Sequence, residues 1–176
     1  QQVRSAYGTA NGQFDFEQWL VENQSDGGLG AALVPIDNDW LRQGSLLGVR
    51  EQKGEWRVAI VRRLAKVGKD KLYAGLQLMS QPAVAVKMQP ASFYANSSGY
   101  GRVDSAIANN KNALLIPSGF MQSKPGLIMP SIEYMVGKTI RISGTGVDQQ
   151  VTLGNIIEKS SDWTWVAIEV NRHGGA

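Results

Sequence analysis

Cysteine is absent from the 176-residue chain, and histidine occurs once, at His173. The first absence excludes disulfide scaffolds, thiolate metal sites and cysteine nucleophiles. The second argues against a catalytic histidine dyad or a zinc site, because His173 lies in the tail Asn171-Arg172-His173-Gly174-Gly175-Ala176, which offers nothing to hold a base or ligand rigidly. Long apolar runs are missing too, so no segment reaches the ~20 residues that a membrane-spanning helix needs. Nor does charge of one sign dominate: Lys+Arg 18 against Asp+Glu 15 leaves a net charge of +3. That balance suits a small anionic ligand or a protein partner and lacks the dense basic stripe of a protein that binds a nucleic-acid polymer. The opening Gln1-Gln2-Val3-Arg4-Ser5 carries no signal-peptide pattern, and the missing initiator Met points to a processed chain or a fragment. With no cysteine to suggest an oxidising compartment, these features read as a cytoplasmic, non-enzymatic chain that needs no metal or cofactor.

What is present is strand chemistry. Four stretches rich in Val, Leu, Ile and aromatics, at 46–50, 56–64, 72–79 and 83–88, are separated by turn residues. Gly54 and Gly68 mark the first two turns. Alternation along the third stretch puts Leu72, Ala74, Leu76 and Leu78 on one face, the expected core face, and Tyr73, Gly75, Gln77 and Met79 on the other. From 93 to 111 the sequence turns small and polar and reads as a linker or long surface loop. A second set of strands follows at 113–117, 126–130, 139–143, 150–157 and 163–170. Helix is scarce: residues 14–21 fit a short turn or a first strand, and 132–136 fit one helical turn. The expectation is an all-β chain of two small antiparallel β-barrels in tandem, divided as 1–92, a linker at 93–111, and 112–176. A faint likeness links Ser45-Leu46-Leu47-Gly48 through Trp56 with Thr152-Leu153-Gly154 through Trp163. A duplicated barrel and a coincidence between two amphipathic hairpins explain it equally well.

One segment carries chemistry. Asn23-x-Ser25-x-x-Gly28 places two short polar side chains beside a glycine-rich bend. Such side chains hydrogen-bond locally and point outward, and glycine lets backbone amides approach a flat or anionic ligand. The plainer alternative is a glycine-rich β-turn closed by an Asx bond. After the bend come Leu46-Leu47-Gly48-Val49, then Trp56-Arg57-Val58-Ala59-Ile60-Val61-Arg62-Arg63, then Gly75-Leu76-Gln77-Leu78. Over about residues 1–90 this order resembles the PilZ family, in its atypical form.

The resemblance implies a first barrel that binds cyclic-di-GMP and switches a partner interaction. Asn23 and Ser25 would bond the guanine or phosphate edge, and Gly28 would allow close approach. PilZ domains also use an Arg-x-x-x-Arg segment ahead of the loop; here Arg4 is the only arginine before it, and Gly8 stands where a second would fall. Arg4 is therefore the candidate to grip phosphate or stack on guanine. Arg42, in the spacer, is a further candidate, with an ordinary exposed charge as the plainer reading. Arg62 and Arg63, as neighbours on a strand, are expected on opposite faces. The alternative function is a ligand-free scaffold that docks a protein partner through barrel edges or through a face bearing Trp163 and Trp165. Aromatic and basic residues do not interleave as a single-strand nucleic-acid binder requires, and neither a close carboxylate pair nor a phosphate-loop signature is present.

Overall fold

The structure, a computed structural model, describes residues 2–8, 14–34, 40–51, 54–67, 71–79, 82–91, 111–118 and 124–171, with the backbone alone at 2–8, 14–16 and 51. The chain is all-β. Its strands are β1 (Gln2–Gly8), β2 (Phe14–Ser25), β3 (Gly28–Leu33), β4 (Leu46–Glu51), β5 (Arg57–Val67) and β6 (Lys71–Leu78), followed by β7 (Val84–Pro90), β8 (Lys111–Ile116), β9 (Gly126–Pro130), β10 (Thr139–Gly144), β11 (Val147–Lys159) and β12 (Trp163–Val170). Residues 14–21 lie in β2, and the helical turn expected at 132–136 is a 3-10 turn at Ser131–Glu133.

The strands form two closed antiparallel barrels, β1-β2-β3-β6-β5-β4 and β10-β11-β12-β9-β8-β7. Each joins two three-stranded meanders: in the first, β3 pairs with β6 and β1 with β4; in the second, β12 pairs with β9 and β10 with β7. Both barrels thus share one strand order, in which β4 corresponds to β10 and β5 to β11. The sequence likeness set out above instead matches β4 and β5 with β11 and β12. It is a likeness between hairpins and not the trace of the shared topology.

The division between the two units falls between Pro82 and Ala83, ahead of the boundary expected at residue 92. The reason is β7, which bonds β8 and β10 and so belongs to the second barrel. The stretch expected as an interdomain linker joins β7 to β8 within that barrel, and its residues 93–110 lie outside the described residues.

Each barrel has its own core. In the first, Trp19, Leu29, Ala31, Leu47, Val49, Ala59 and Val61 pack with Ala74, Leu76 and Leu78, while Leu72 packs against them half-buried. The β6 core face is the one its alternation predicted. In the second, Leu127, Met129, Ile140 and Ile142 pack with Val151, Leu153, Val166 and Ile168. Thr164, fully buried, bonds Ser131 Oγ at 2.8 Å and so has a partner for its hydroxyl. Trp163 is 6% exposed and Trp165 half-buried, so the tryptophan face offered as a docking surface is not an open one.

At the β10–β11 hairpin Arg141 Nε donates to Asp148 Oδ1 at 2.6 Å, and the second guanidinium nitrogen bonds Oδ2. That bond, with the guanidinium charge, holds the Asp148 carboxyl below the ordinary carboxylate value. A depressed folded-state value contributes stability above the unfolded value and loses it as pH falls through the folded one. Asp148→Asn should therefore flatten the acid side of the stability–pH curve below about pH 4, read by urea unfolding at a series of pH values.

Candidate functional site

The bend expected as a loop is a tight hairpin. Asn23 and Ser25 lie in β2, Gly28 opens β3, and Asp26 and Gly27 alone form the turn, with Ser25 opposite Gly28. Neither Asp26 nor Gly27 has positive φ. Ser25 Oγ approaches the Gly28 carbonyl at only 3.5 Å, a weak contact. The turn is anchored by the Leu78 N–H donating to the Gly27 carbonyl at 2.9 Å.

Strand pairing builds a surface outward from this hairpin. One row runs across four strands: Asn23 on β2 faces Gly30 on β3, Gly30 faces Gly75 on β6, and Gly75 faces Arg63 on β5. The next row runs Ser25, Gly28, Gln77, Ile60. Two glycines side by side leave the middle of the first row without side chains of its own, and neighbours cover it. Asn23 Nδ2 donates to Tyr73 Oη at 2.7 Å, and both groups lie over Gly30, where a Cβ would collide with Tyr73 Oη and Asn23 Oδ1. Arg63 Cβ lies over Gly75, 3.3 Å from where a Cβ would stand. The floor is thus a tyrosine edge and an arginine stem laid across backbone. Gly30→Ala should displace the Asn23–Tyr73 pair and cost about 1–3 kcal/mol, visible as a lower urea midpoint at unchanged slope.

The two arginines share this surface. A register shift between Val61 and Arg63 inserts Arg62 as an extra residue on β5. Ala59 and Val61 point into the core, the next inward residue is Leu64, and Arg62 and Arg63 are both exposed between them. The expectation of opposite faces fails because a bulge breaks the two-residue alternation. Arg62 Nε donates to Gln77 Oε1 at 2.6 Å, which ties it to the second row.

Electrostatics divides the surface into two ends. The outward faces of β5 and β6 carry Arg62, Arg63 and Lys71 and no acid, whereas the β2 end carries exposed Glu22 and Asp26 beside Asn23 and Ser25. Three strand spacings, roughly 14 Å, separate the ends. An anionic group is favoured at the β5 end, and hydrogen-bond donors of a ligand are favoured at the β2 end.

Asn23, Ser25 and Gly28 are brought together as the motif implied. Arg42 is exposed in the β3–β4 connection. Its turn, with Gly44 at φ 87, hooks onto β5: the Gly44 N–H donates to the Val61 carbonyl at 2.8 Å and the Val61 N–H to the Ser45 carbonyl at 3.0 Å. The turn that carries Arg42 thus docks on β5 at Val61. Arg4 is not brought to the hairpin. It pairs in β1 with Gln18 on β2 and Arg50 on β4; Asn23 and Ser25 lie five and seven residues farther along β2, roughly 17 and 23 Å in extended strand. That span exceeds the reach of an arginine side chain. Sequence reasoning missed Tyr73 and Gly30 as site residues and misplaced Arg63; the Gly75 in the strand was the one local signal that something crosses close to the backbone.

Among the described residues no cluster of three or more His, Asp or Glu side chains is placed to hold a metal, and no helix is long and apolar enough to cross a membrane. The fold defines a protein made of two small closed barrels with one polar, glycine-rich face on the first. Compared with known proteins, the chain matches no family model and no curated sequence.

Proposed function

We propose that the chain is a binding module and not an enzyme, and that the outer face of β2, β3, β6 and β5 takes a flat anionic ligand of the cyclic-di-GMP class, as the PilZ-like reading implies. The observation that carries the reading is the row Asn23–Gly30–Gly75–Arg63, with the Tyr73 phenol across its middle and Arg62 beside it. Guanidinium groups recognise phosphate through paired, charge-assisted bonds. The acceptors at the opposite end suit the N–H donors on the guanine edge, and the Tyr73 hydroxyl offers a further hydrogen-bonding group between the two ends. Arg62 and Arg63 take the part first given to Arg4. Ligand binding would exchange the Asn23–Tyr73 bond for one to the ligand and so alter the surface seen by a protein partner. Calorimetric titration of cyclic-di-GMP into the purified chain should give saturable heat at micromolar ligand; no heat at that concentration refutes the nucleotide reading.

A second reading is a PilZ-like scaffold that docks a protein partner without nucleotide. The engagement of Asn23 by Tyr73, and the filling of the glycine positions by Tyr73 and Arg63, favour it. A partner that binds with equal affinity in the presence and absence of the nucleotide would decide for it.

A further inference from the structure

One end of the second barrel carries an apolar surface, which does not depend on the cyclic-di-GMP reading. At this end β9 stops at Pro130, β10 begins at Thr139, and β11 turns into β12 beyond Lys159. The β9–β10 connection is laid along the last part of β11. The Ser131 N–H donates to the Asp162 carbonyl at 3.0 Å, Tyr134 Oη to the Gly154 carbonyl at 2.9 Å, and the Gly137 N–H to the Leu153 carbonyl at 2.7 Å. Tyr134 packs against the core and its neighbours stay outside: Ile132 is 92% exposed, Met135 65% and Val136 62%. On β11 two register shifts follow Leu153. They break the alternation of the strand, and Ile156 and Ile157 are both exposed.

The fold does not require apolar residues at this place, because the first barrel builds it in the same way. There the Gly44 N–H donates to the Val61 carbonyl and the Val61 N–H to the Ser45 carbonyl; in the second barrel the Gly137 N–H donates to the Leu153 carbonyl and the Leu153 N–H to the Lys138 carbonyl. Both glycines have positive φ, 87° and 77°, and a register shift follows the hooked residue in each strand. The exposed pair ahead of the glycine is Arg42 and Gln43 in the first barrel, but Met135 and Val136 in the second. Beyond the hooked residue the first barrel exposes Arg62 and Arg63, and the second exposes Asn155, Ile156 and Ile157. The five apolar side chains offer roughly 600 Å² to solvent, the upper limit for the largest patch on an ordinary monomer. A patch of that size marks a place where something docks.

Charge around the patch decides what it fits. Among the described residues Lys111, Lys138 and Lys159 stand at this end together with Glu133, Glu158 and Asp162, and Lys111 lies 3.7 Å from Glu133. An anionic lipid surface would meet as much repulsion there as attraction. A rim carrying both signs is instead complementary to its own copy turned about a two-fold axis. Two such patches buried against each other cover about 1,200 Å², the lower end of a specific protein–protein interface. We infer that this end of the second barrel is a self-association surface, on which a second copy of the chain packs Ile132, Met135, Val136, Ile156 and Ile157 against the same five residues in a two-fold dimer.

The test uses the full chain without nucleotide. Sedimentation equilibrium should show monomer and dimer exchanging over the micromolar range. Met135→Asp with Val136→Asp should weaken the association at least tenfold, and Ile156→Asp, in the other stretch, should do the same. These side chains are exposed, so the circular dichroism of the variants should match that of the parent. Val67→Asp, at an exposed valine of the first barrel, is the control and should leave the association within twofold of the parent. Because the chain has no cysteine, Met135→Cys introduces a single thiol. With reagent in excess, its modification by a maleimide should slow at least tenfold as the dimer forms, whereas that of Val67→Cys should not slow. The inference is overturned if the parent stays a monomer up to several hundred micromolar, including the case in which vesicles of anionic lipid capture that monomer. It is overturned equally if the dimer survives both sets of aspartate replacements unchanged, or if the Met135→Cys thiol is modified at the same rate in monomer and dimer. None of these results bears on the calorimetry of cyclic-di-GMP, which reads the first barrel.

Discussion

Replacing Arg62 and Arg63 together with alanine should weaken cyclic-di-GMP binding by more than roughly a hundredfold while leaving the fold intact. Hydrogen bonds to charged groups contribute about 1.5–3 kcal/mol each, and two such losses exceed the ~2.8 kcal/mol that a hundredfold change in affinity requires. Both side chains are exposed, and surface replacements of this kind usually shift stability by no more than about 0.5 kcal/mol. Titration calorimetry reads the first effect and urea unfolding the second. Arg4→Ala serves as the contrast: its register keeps it away from the hairpin, so it should leave this affinity within about twofold of the parent. A hundredfold loss from Arg4→Ala with none from the double replacement would assign the ligand to the other side of the barrel.

The largest effect on stability is expected at Trp19. It is 1% exposed within the first barrel, and its Nε1 donates to Glu17 Oε2 at 3.0 Å. Trp19→Ala removes the most voluminous fully buried side chain among the described residues and leaves a cavity that surrounding strands close only in part. The cost should be about 3–5 kcal/mol, a large share of the ~5–15 kcal/mol by which ordinary domains are stable. Chemical unfolding followed by circular dichroism measures it. A cost below about 1 kcal/mol would mean that the barrel interior repacks as no closed sheet of this kind is expected to.

Much of the architecture was legible because it is local. The alternation of Leu72, Ala74, Leu76 and Leu78 marked the core face of β6, and runs of branched and aromatic residues marked most strands. What escaped was non-local. The sequence of β1, Gln2-Val3-Arg4-Ser5-Ala6-Tyr7-Gly8, is too polar and small to stand out, and only its pairing with β2 and β4 makes it a strand. β7 reads as a fourth strand of the first block, yet its hydrogen bonds go to β8 and β10; a change in composition at residue 93 carries no record of which strands pair. At the site, the spacing Asn23-x-Ser25-x-x-Gly28 did place three residues together, because a two-residue hairpin needs no distant information. The placing of Arg62 and Arg63 was hidden by one inserted residue, and that of Arg4 by register, which sequence separation from the hairpin does not encode.

Closure of both sheets has a consequence for recognition. Each strand has hydrogen-bonded neighbours on either side, so neither sheet has an edge strand along whose whole length a foreign peptide could add itself. Selection of a companion then falls chiefly to side chains standing on the outside of the barrels. Changes to those side chains can then redirect the choice of companion while the main-chain ladder beneath keeps its pairing.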